Sequence, residues 1–174
     1  NAAPAARHSV ELALRDASLD ARWIPWASSE RKKTLDELEK LARRAVRLGV
    51  DRHSLLLAAG GGVTSDMGGF LAATLLRGIR WGAVPTTLLG MVDAALGGKT
   101  AVDLPEGKNL LGAFHEPEFV IGDVATLRTL PRREWNNGLG EVLKTALIGG
   151  PALFRRLERP RPAALRCPGA AILQ

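Results

Sequence analysis

This chain of 174 residues has one cysteine, no tyrosine and no long apolar run. These absences argue against a disulfide-bonded protein, a membrane-spanning protein and a nucleic-acid-binding protein. The single cysteine, Cys167, allows neither an intramolecular disulfide nor a zinc site built from cysteines. The longest apolar runs, such as residues 55–59, are far too short to span a membrane. No charged and then apolar leader opens the sequence. We therefore expect a cytoplasmic protein with no membrane partner.

The net charge of +6 would suit an acidic partner, but the excess is local. Residues 155–166 hold five arginines and one acid, so +4 of the charge lies in this short stretch. A surface that binds nucleic acid spreads basic residues over a folded face and adds aromatic side chains that stack on bases. This chain has four Phe, four Trp and no Tyr. We therefore predict no nucleic-acid partner, and we expect residues 159–174 to form a disordered tail.

Strand and helix patterns alternate along the rest of the chain. Thr34 and Glu37 form a capping box that predicts the start of an amphipathic helix, and Gly49 predicts its end. Residues 54–59 are an unbroken apolar run, typical of a strand buried on both faces of a parallel sheet. They lead into three glycines and a helix expected over 66–76.

The remaining patterns complete an α/β fold. We predict strands over 21–26, 79–84 and 119–122, and helices over 8–19, 87–96, 132–148 and 151–157. Residues 97–114 are rich in Gly, Lys and Asn and are predicted to form a long loop. This order is typical of a doubly wound α/β fold, in which helices cover both faces of a mostly parallel sheet.

The three glycines at 60–62 follow the buried strand directly, which makes them the first candidate site. Glycine lets a backbone approach a phosphate closely, and the next helix directs free N–H groups at it. The spacing differs from G-x-G-x-x-G, and a tight turn made only for packing explains it equally well. Asp66 is then either a first-turn acid or a hydrogen-bond acceptor for a cofactor. Thr86 and Thr87 are either a helix cap or part of a ligand site at the sheet edge.

Polar residues in two later segments suit an anion or a metal. Lys99, and Lys108 with Asn109, suit a phosphate or carboxylate, although a solvated loop has the same composition. Glu141 and Lys144 lie one helical turn apart. They form either a simple surface pair or, in a cleft, a metal ligand and an anion anchor.

Taken in order, these motifs resemble the 3-dehydroquinate synthase family over residues 28–158. Each motif is weak alone, but the ordered set is specific. The set comprises residues 60–63 with 66, 77–78, 85–89, 92–93 with 97–99, 107–110 with 112–114, 129–131 with 133–134, and 138–139 with 141, 142 and 144.

The resemblance implies a Rossmann-like, NAD-binding α/β domain over residues 1–130 and the first helices of an α-helical metal and substrate domain over 131–158. It implies a lyase of the shikimate pathway that cyclises a phosphorylated keto acid, 3-deoxy-D-arabino-heptulosonate 7-phosphate (DAHP), to 3-dehydroquinate with release of phosphate. NAD oxidises one hydroxyl transiently and is regenerated, and a divalent zinc or cobalt ion polarises that hydroxyl. Full-length members are implied to be homodimers.

Carried over by position, the resemblance assigns residues to three roles. Contacts with NAD fall on Ser28, Ser29, Glu30, Lys33, Gly62, Val63, Thr64, Ser65, Asp66, Thr86, Thr87, Lys99, Lys108, Thr126, Leu127, Arg128 and Thr129. Catalytic contacts with the substrate fall on Asp93, Lys99, Asn109 and Lys144, and Arg77 resembles an arginine that reaches across the dimer. Glu141 matches the first metal ligand.

Several positions depart from the family pattern. Ser29 and Ser65 replace glycines, Asp103 replaces an asparagine, and Gly140 and Thr145 replace an alanine and a tyrosine. Ser65 would weaken NAD binding if its position requires a positive φ. The first strand and two histidine metal ligands of the family have no match, and the chain does not begin with methionine. We therefore expect a fragment that is inactive by itself.

Three alternatives stay open. The first is another sugar-phosphate cyclase, a 2-deoxy-scyllo-inosose or valiolone-type synthase. The second is a metal-dependent polyol dehydrogenase, and the third is a degenerate fragment without catalytic activity. Gly-Gly-Lys at 97–99 and Gly-Lys-Asn at 107–109 favour dehydroquinate synthase and an anionic substrate.

Overall fold

The computed structural model describes residues 4–158, so the predicted tail over 159–174 lies outside the described residues. Within this range, α-helices cover Pro4–Asp16 (α1), Leu35–Arg47 (α2), Gly62–Thr74 (α3), Arg132–Gly149 (α4) and Pro151–Glu158 (α5). Strands cover Leu55–Gly60 (β1), Arg80–Pro85 (β2), Lys99–Leu104 (β3) and Gly107–Phe114 (β4). Short 3-10 helices cover Glu30–Lys32, Leu75–Arg77 and Val124–Thr129, and a π-helix covers Gly90–Ala94.

Helix α2 begins at the predicted cap residue, Thr34. The Thr34 hydroxyl accepts a hydrogen bond from Glu37 N at 3.4 Å, which satisfies one free amide of the first turn. The Glu37 carboxylate accepts instead from Trp26 Nε1 at 3.0 Å. The strand predicted over 21–26 is wrong, because residues 19–29 form an irregular connection. Trp26 and the Pro25 carbonyl of this connection form hydrogen bonds with α2.

The parallel sheet is small. β1 and β2 pair in parallel, from Leu55 opposite Arg80 to Gly60 opposite Pro85, and α3 is the crossover between them. This confirms the α/β class and the strand itself, but its predicted burial on both faces holds only in part, because Leu55 is exposed and only Ala58 and Gly60 are fully buried. The strand predicted over 119–122 is reduced to one parallel bridge between Ala83 and Val120.

The loop predicted over 97–114 is wrong, because β3 and β4 form an antiparallel hairpin there. Thr100 and Val102 of β3 are buried, and the strand packs against α3. A Cβ on Gly112 of β4 would lie 2.0 Å from Thr100 O, so this glycine permits the close approach of the two strands. The Gly and Lys content that suggested a loop therefore belongs to a strand.

Helix boundaries differ from prediction at three places. α3 starts at Gly62 rather than at residue 66, with Gly61 as its cap. The helix predicted over 87–96 is the shorter π-helix Gly90–Ala94. α1 lies several residues earlier than predicted, whereas α4 and α5 match the prediction to within one residue at each end.

Buried side chains form two clusters. The first joins α2, α3 and the strands, with Met67, Trp81 and Val102 almost fully buried. The second comprises Leu88, Leu127, Trp135 and Val142. The π-helix contacts both α3 and α4, and so it lies between the two clusters. No helix within residues 4–158 combines the length and apolar character that a bilayer span requires.

Candidate functional site

Lys33 is the centre of a buried polar cluster. Its side chain is 3% exposed, and Nζ donates hydrogen bonds to Asp66 Oδ2 and Asn109 Oδ1. Oδ1 of Asp103 lies 4.0 Å from the same Nζ. A buried ammonium requires opposite charge and hydrogen-bond acceptors. Here the acceptors come from α3, β3 and β4, so three separate elements meet at one lysine.

Backbone hydrogen bonds hold these side chains together. Asp103 N donates to Lys33 O at 2.7 Å, and Asn109 N donates to Asp103 Oδ1 at 2.8 Å. Asn109 has a φ of +58°, in the left-handed region that asparagine adopts more readily than most residues. The hairpin is thus tied to the segment that precedes α2.

The charges of this cluster act on one another. Burial raises the pKa of the Asp66 carboxyl; Lys33 opposes this effect, and the charges of Glu30 and Asp103 add to it. Glu30 and Lys108 form an ion pair of 2.7 Å, and the hydrogen bond to Glu30 raises the pKa of Lys108. Three carboxylates and two ammonium groups therefore lie near Asn109 or Lys33 and affect one another electrostatically. We call these six residues, Glu30, Lys33, Asp66, Asp103, Lys108 and Asn109, the Lys33 cluster.

The glycine turn lies against the ends of β1 and β2. Thr86 N donates to Gly60 O at 2.8 Å. A Cβ on Gly61 would lie 3.1 Å from Thr87 Cγ2, and one on Gly62 would lie 3.1 Å from Ala94 Cβ. Packing therefore accounts for part of the glycine pattern. It also brings Thr86 and Thr87 next to the start of α3.

The first turn of α3 carries two buried hydroxyls. Thr64 Oγ1 and Ser65 Oγ have no hydrogen-bond partner among residues 4–158, although buried hydroxyls are usually satisfied. Because α3 begins at Gly62, the first amides of the helix, those of Gly62 and Val63, lie beside these hydroxyls. The amides of Thr64 and Ser65 donate to Gly61 O. Ser65 is helical, so the positive φ that would make it unfavourable for NAD is not required there.

Glu141 and Lys144 form an ion pair on α4. The hydrogen bond to Glu141 raises the pKa of Lys144, burial opposes this, and the charges of Glu141 and Asp93 add to it. Asp93 lies in the π-helix, next to the Ala94 that contacts the glycine turn. The structure thus brings Asp93, Glu141 and Lys144 into electrostatic range on the side where α3 begins.

A divalent metal ion does not fit the residues present in this part of the chain. Residues 4–158 contain no group of three or more His, Cys, Asp or Glu side chains arranged to hold a metal ion. Catalytic zinc sites usually have three protein ligands. Glu141 is one carboxylate, and it is paired with Lys144.

The other predicted cofactor residues lie outside the Lys33 cluster. Ser28 and Ser29 precede the 3-10 helix that leads to Lys33, and Lys32 N donates to Ser29 O at 2.9 Å. Lys99 is exposed and follows two glycines of positive φ. Residues 126–129, which include Thr126, Arg128 and Thr129, end a 3-10 helix. Leu127 is fully buried in the second cluster, so its side chain is used for packing.

Arg77 lies at the opposite end of α3 from the glycine turn. α3 has 13 residues, and a helix of that length spans about 20 Å. Leu76 and Arg77 have φ values of +52° and +68°, so the chain turns sharply after the helix. Within one copy of the chain, Arg77 is therefore remote from the glycine turn.

Asp103 belongs to the Lys33 cluster, although its sequence pattern marks it only as a departure from the family. Because residues 97–114 were predicted to form a loop, the sequence did not indicate that Asp103 and Asn109 lie on paired strands and contact each other. The signal that would have revealed it is the alternation of Thr100 and Val102, followed by the turn at Pro105. A hairpin folded at that turn brings residues 103 and 109 close together.

Residues 23–137 match the family model described as 3-dehydroquinate synthase N-terminal. The chain is 48% identical over 145 residues to the 3-dehydroquinate synthase of a strain of Prochlorococcus marinus, covering 83% of this chain and 40% of that protein. It is 49% identical over 148 residues to the enzyme of the same name from Xanthomonas campestris pv. campestris (strain 8004), covering 85% and 40%. The chain thus spans about 40% of the length of these curated relatives.

Solved structures of sugar-phosphate cyclases are also similar. ValA, a 2-epi-5-epi-valiolone synthase from Streptomyces hygroscopicus subsp. jinggangensis 5008 with NAD+ and Zn2+ bound, matches with a TM-score of 0.88 at 31% identity, covering 96% of this chain and 47% of that chain. A 2-deoxy-scyllo-inosose synthase complexed with carbaglucose-6-phosphate, NAD+ and Co2+ matches with a TM-score of 0.77 at 33% identity, covering 82% and 39%. The fold described above is therefore shared with proteins that bind both a nucleotide and a metal.

Proposed function

Because the chain belongs to the 3-dehydroquinate synthase family, we propose that it supplies the NAD-binding part of an enzyme that cyclises DAHP to 3-dehydroquinate and releases phosphate. The observation that carries the proposal is the start of α3, where two buried hydroxyls lack partners among residues 4–158 beside the glycine turn. A dinucleotide pyrophosphate is a group that helix amides and hydroxyls of this kind bind. The residues present therefore fit NAD.

Residues of this chain have distinct parts in the proposed site. The first turn of α3, with Thr64 and Ser65, binds the pyrophosphate. Lys33 and Asp66 hold the edge of the nucleotide site, and the exposed ammonium groups of Lys99 and Lys108 attract the phosphate-bearing ligands. When bound, NAD takes up a hydride from one substrate hydroxyl and later returns it.

The substrate side of the proposed site is formed by Asp93, Asn109 and Lys144. The Lys144 ammonium provides positive charge for an anionic group of the substrate, and Asp93 and Glu141 keep that ammonium charged. Asn109 offers an amide that is oriented by Lys33. We derive no step through a metal ion, because Glu141 is a single ligand.

The arginine at position 77 is proposed to serve a second copy of the chain in a homodimer. Its distance from the glycine turn in one copy supports this assignment, because a contact with the nucleotide site at that turn then requires a partner. The left-handed conformation of Leu76 and Arg77 also supports it, since backbone strain is concentrated at functional sites. Sedimentation of the purified protein, with Arg77→Ala as a variant in NAD titrations, tests it.

We further propose a domain boundary near residue 130 and a cytoplasmic location. The two separate clusters of buried side chains support the boundary, because residues 131–158 contribute only to the second. A biosynthetic enzyme that uses NAD and a sugar phosphate finds both in the cytoplasm.

Dehydroquinate synthase is favoured over the other cyclases by sequence identity. The chain is 45–52% identical to relatives of that name and 31–33% identical to the valiolone and inosose synthases. Incubation of any active form with DAHP, rather than with glucose 6-phosphate or sedoheptulose 7-phosphate, distinguishes the three. Turnover of another sugar phosphate in preference to DAHP would contradict the assignment.

Calorimetric titration of the purified chain with NAD+ tests the proposed site. We expect binding that Lys99→Ala weakens about tenfold, as loss of a charge contact to phosphate would. Lys40→Ala is the matched control, because Lys40 is an exposed lysine on α2. Equal affinity of the two variants, or no binding by the parent chain, would contradict the proposal.

A turnover assay of the isolated chain with NAD, zinc and DAHP tests its activity. We expect no turnover, because residues 4–158 contain no group of three or more side chains that could hold a metal ion.

A further inference from the structure

Asp103 makes three separate contacts in the Lys33 cluster. Its amide donates to Lys33 O at 2.7 Å, its Oδ1 accepts from Asn109 N at 2.8 Å, and the same Oδ1 lies 4.0 Å from Lys33 Nζ. The Asp103 side chain is 17% exposed. Asp103 of β3 is therefore bonded to both Lys33 and Asn109, the two residues assigned above to the cofactor and to the substrate.

We propose that Asp103 is a positioning residue of the nucleotide site, whose carboxylate holds Asn109 in its left-handed conformation and keeps the Lys33 ammonium between Asp66 and Asn109. The inference rests on the proposed function, which assigns Lys33 and Asp66 to the cofactor and Asn109 to the substrate. Asp103 itself acts through these residues and takes no part in the chemistry.

The hydrogen bond to Asn109 explains why a carboxylate or amide oxygen is needed at position 103. A non-glycine residue in the left-handed region is disfavoured, so an acceptor for its amide helps to fix that conformation. With Asn109 fixed, its side-chain Oδ1 is available to Lys33 Nζ. Asparagine at position 103 would preserve the acceptor, whereas alanine would remove it.

The charge of Asp103 has a second effect, on Asp66. The charged groups that face Asp66 are Lys33, Glu30 and Asp103, and the two carboxylates add to the burial that raises the pKa of Asp66. Removal of the Asp103 charge would lower that pKa. The pH dependence of ligand binding then separates the charge from the hydrogen bond, since Asp103→Asn changes only the charge.

Amine acylation followed by mass spectrometry tests the geometry without any ligand. In the parent chain we expect Lys33, 3% exposed, to react far more slowly than Lys40, which is 66% exposed and serves as the internal reference. Asp103→Ala should raise the Lys33 rate about tenfold, and Asp103→Asn should leave it within about threefold of the parent. Equal protection of Lys33 in the parent and in Asp103→Ala would overturn the proposal.

Calorimetric titration with NAD+ between pH 4 and pH 8 tests the consequence for the site. We expect Asp103→Ala to weaken binding about tenfold at pH 7, and Asp103→Asn to restore it. Asp103→Asn should also move the acid limb of the binding curve to lower pH. Asp20→Asn is the control, because it removes one negative charge from a side chain that is 83% exposed.

Each outcome decides between the two proposals. If the parent chain does not bind NAD+, the proposed function fails, while Lys33 acylation still decides the role of Asp103. If the parent binds and Asp103→Ala binds equally well, the positioning role fails and the function stands. If circular dichroism shows Asp103→Ala to be unfolded, Asp103→Asn decides, and acylation of Lys33 more than about threefold faster than in the parent would overturn the inference.

Discussion

Gly138 of α4 lies so close to Leu88 that a Cβ at position 138 would come within 2.6 Å of Leu88 Cβ and Cγ. Leu88 lies just before the π-helix, so this contact seats the helix of Glu141 and Lys144 against the segment of Asp93. Two residues further on, a Cβ on Gly140 would meet no heavy atom of the described residues within 4 Å. The two glycines of one helix are therefore not equivalent.

Alanine substitution should reveal this difference. We expect Gly138→Ala to lower the free energy of unfolding by about 1–3 kcal/mol, because overpacking forces α4 away from Leu88. Gly140→Ala should raise it by about 0.5–1 kcal/mol, because alanine loses less conformational freedom in a helix interior. Urea unfolding of both variants measures the two changes, and changes of the same sign would contradict the packing described.

The ion pair of Glu30 and Lys108 should matter for binding and not for stability. Its side chains are 44% and 70% exposed, and exposed pairs contribute little to folding. We expect Lys108→Met to leave the urea midpoint unchanged and to weaken NAD+ binding about tenfold at low salt. The difference should shrink in about 1 M NaCl, where charges are screened. Lys40→Met, another exposed lysine of an ion pair, is the control and should bind NAD+ normally.

Ionisation of Asp66 should oppose folding. Its pKa is raised in the folded chain above the ordinary 3.8, chiefly by burial. A raised pKa means that folding favours the neutral form of the Asp66 carboxyl. The stability that this neutral form contributes is fully present below pH 3.8 and is lost as the pH rises through the pKa of the folded chain. We expect the free energy of unfolding of Asp66→Asn, minus that of the parent, to increase as the pH rises from about 3.5 to about 7. A difference that falls over this range would show that Lys33 outweighs burial.

The two glycines before Lys99 provide a matched pair for the turn that presents it. Gly97 and Gly98 have φ values of +77° and +62°, and alanine in either place costs about 1 kcal/mol in the left-handed region. Only a Cβ on Gly98 would meet backbone, 2.8 Å from Glu116 N and Cα. We therefore expect Gly98→Ala to lower the urea midpoint more than Gly97→Ala does. Equal midpoints would show that residue 116 moves freely.

Local sequence signals predicted the elements whose causes are local. The Thr34 cap opens α2 in the structure, and the apolar run before the glycines forms β1. The β3–β4 hairpin has only a weak local signal, the alternation of Thr100 and Val102 before the turn at Pro105. Its polar composition resembles that of a loop, and packing against α3 and the approach of Gly112 to Thr100 O stabilise it as a sheet.

The same distinction applies to the candidate site. The resemblance to the family singled out Lys33, Asp66 and Asn109 as residues of interest, and the structure brings them together. Their burial could not be read from the sequence, where Lys33 is one of two adjacent lysines in a charged stretch. Asp103 was recognised only as an unusual residue, because its contact with Asn109 depends on how β3 pairs with β4.

The π-helix Gly90–Ala94 has a consequence for how this segment tolerates change. A π turn contains about one residue more than an α turn, whereas one extra residue in a regular α-helix would rotate the following side chains by about 100°. The wider turn takes up that residue, so Asp93 can lie in range of Lys144 while Ala94 lies against Gly62. A deletion of one residue here would convert the π turn into an α turn and leave the flanking residues in register, which a deletion in a regular α-helix would not.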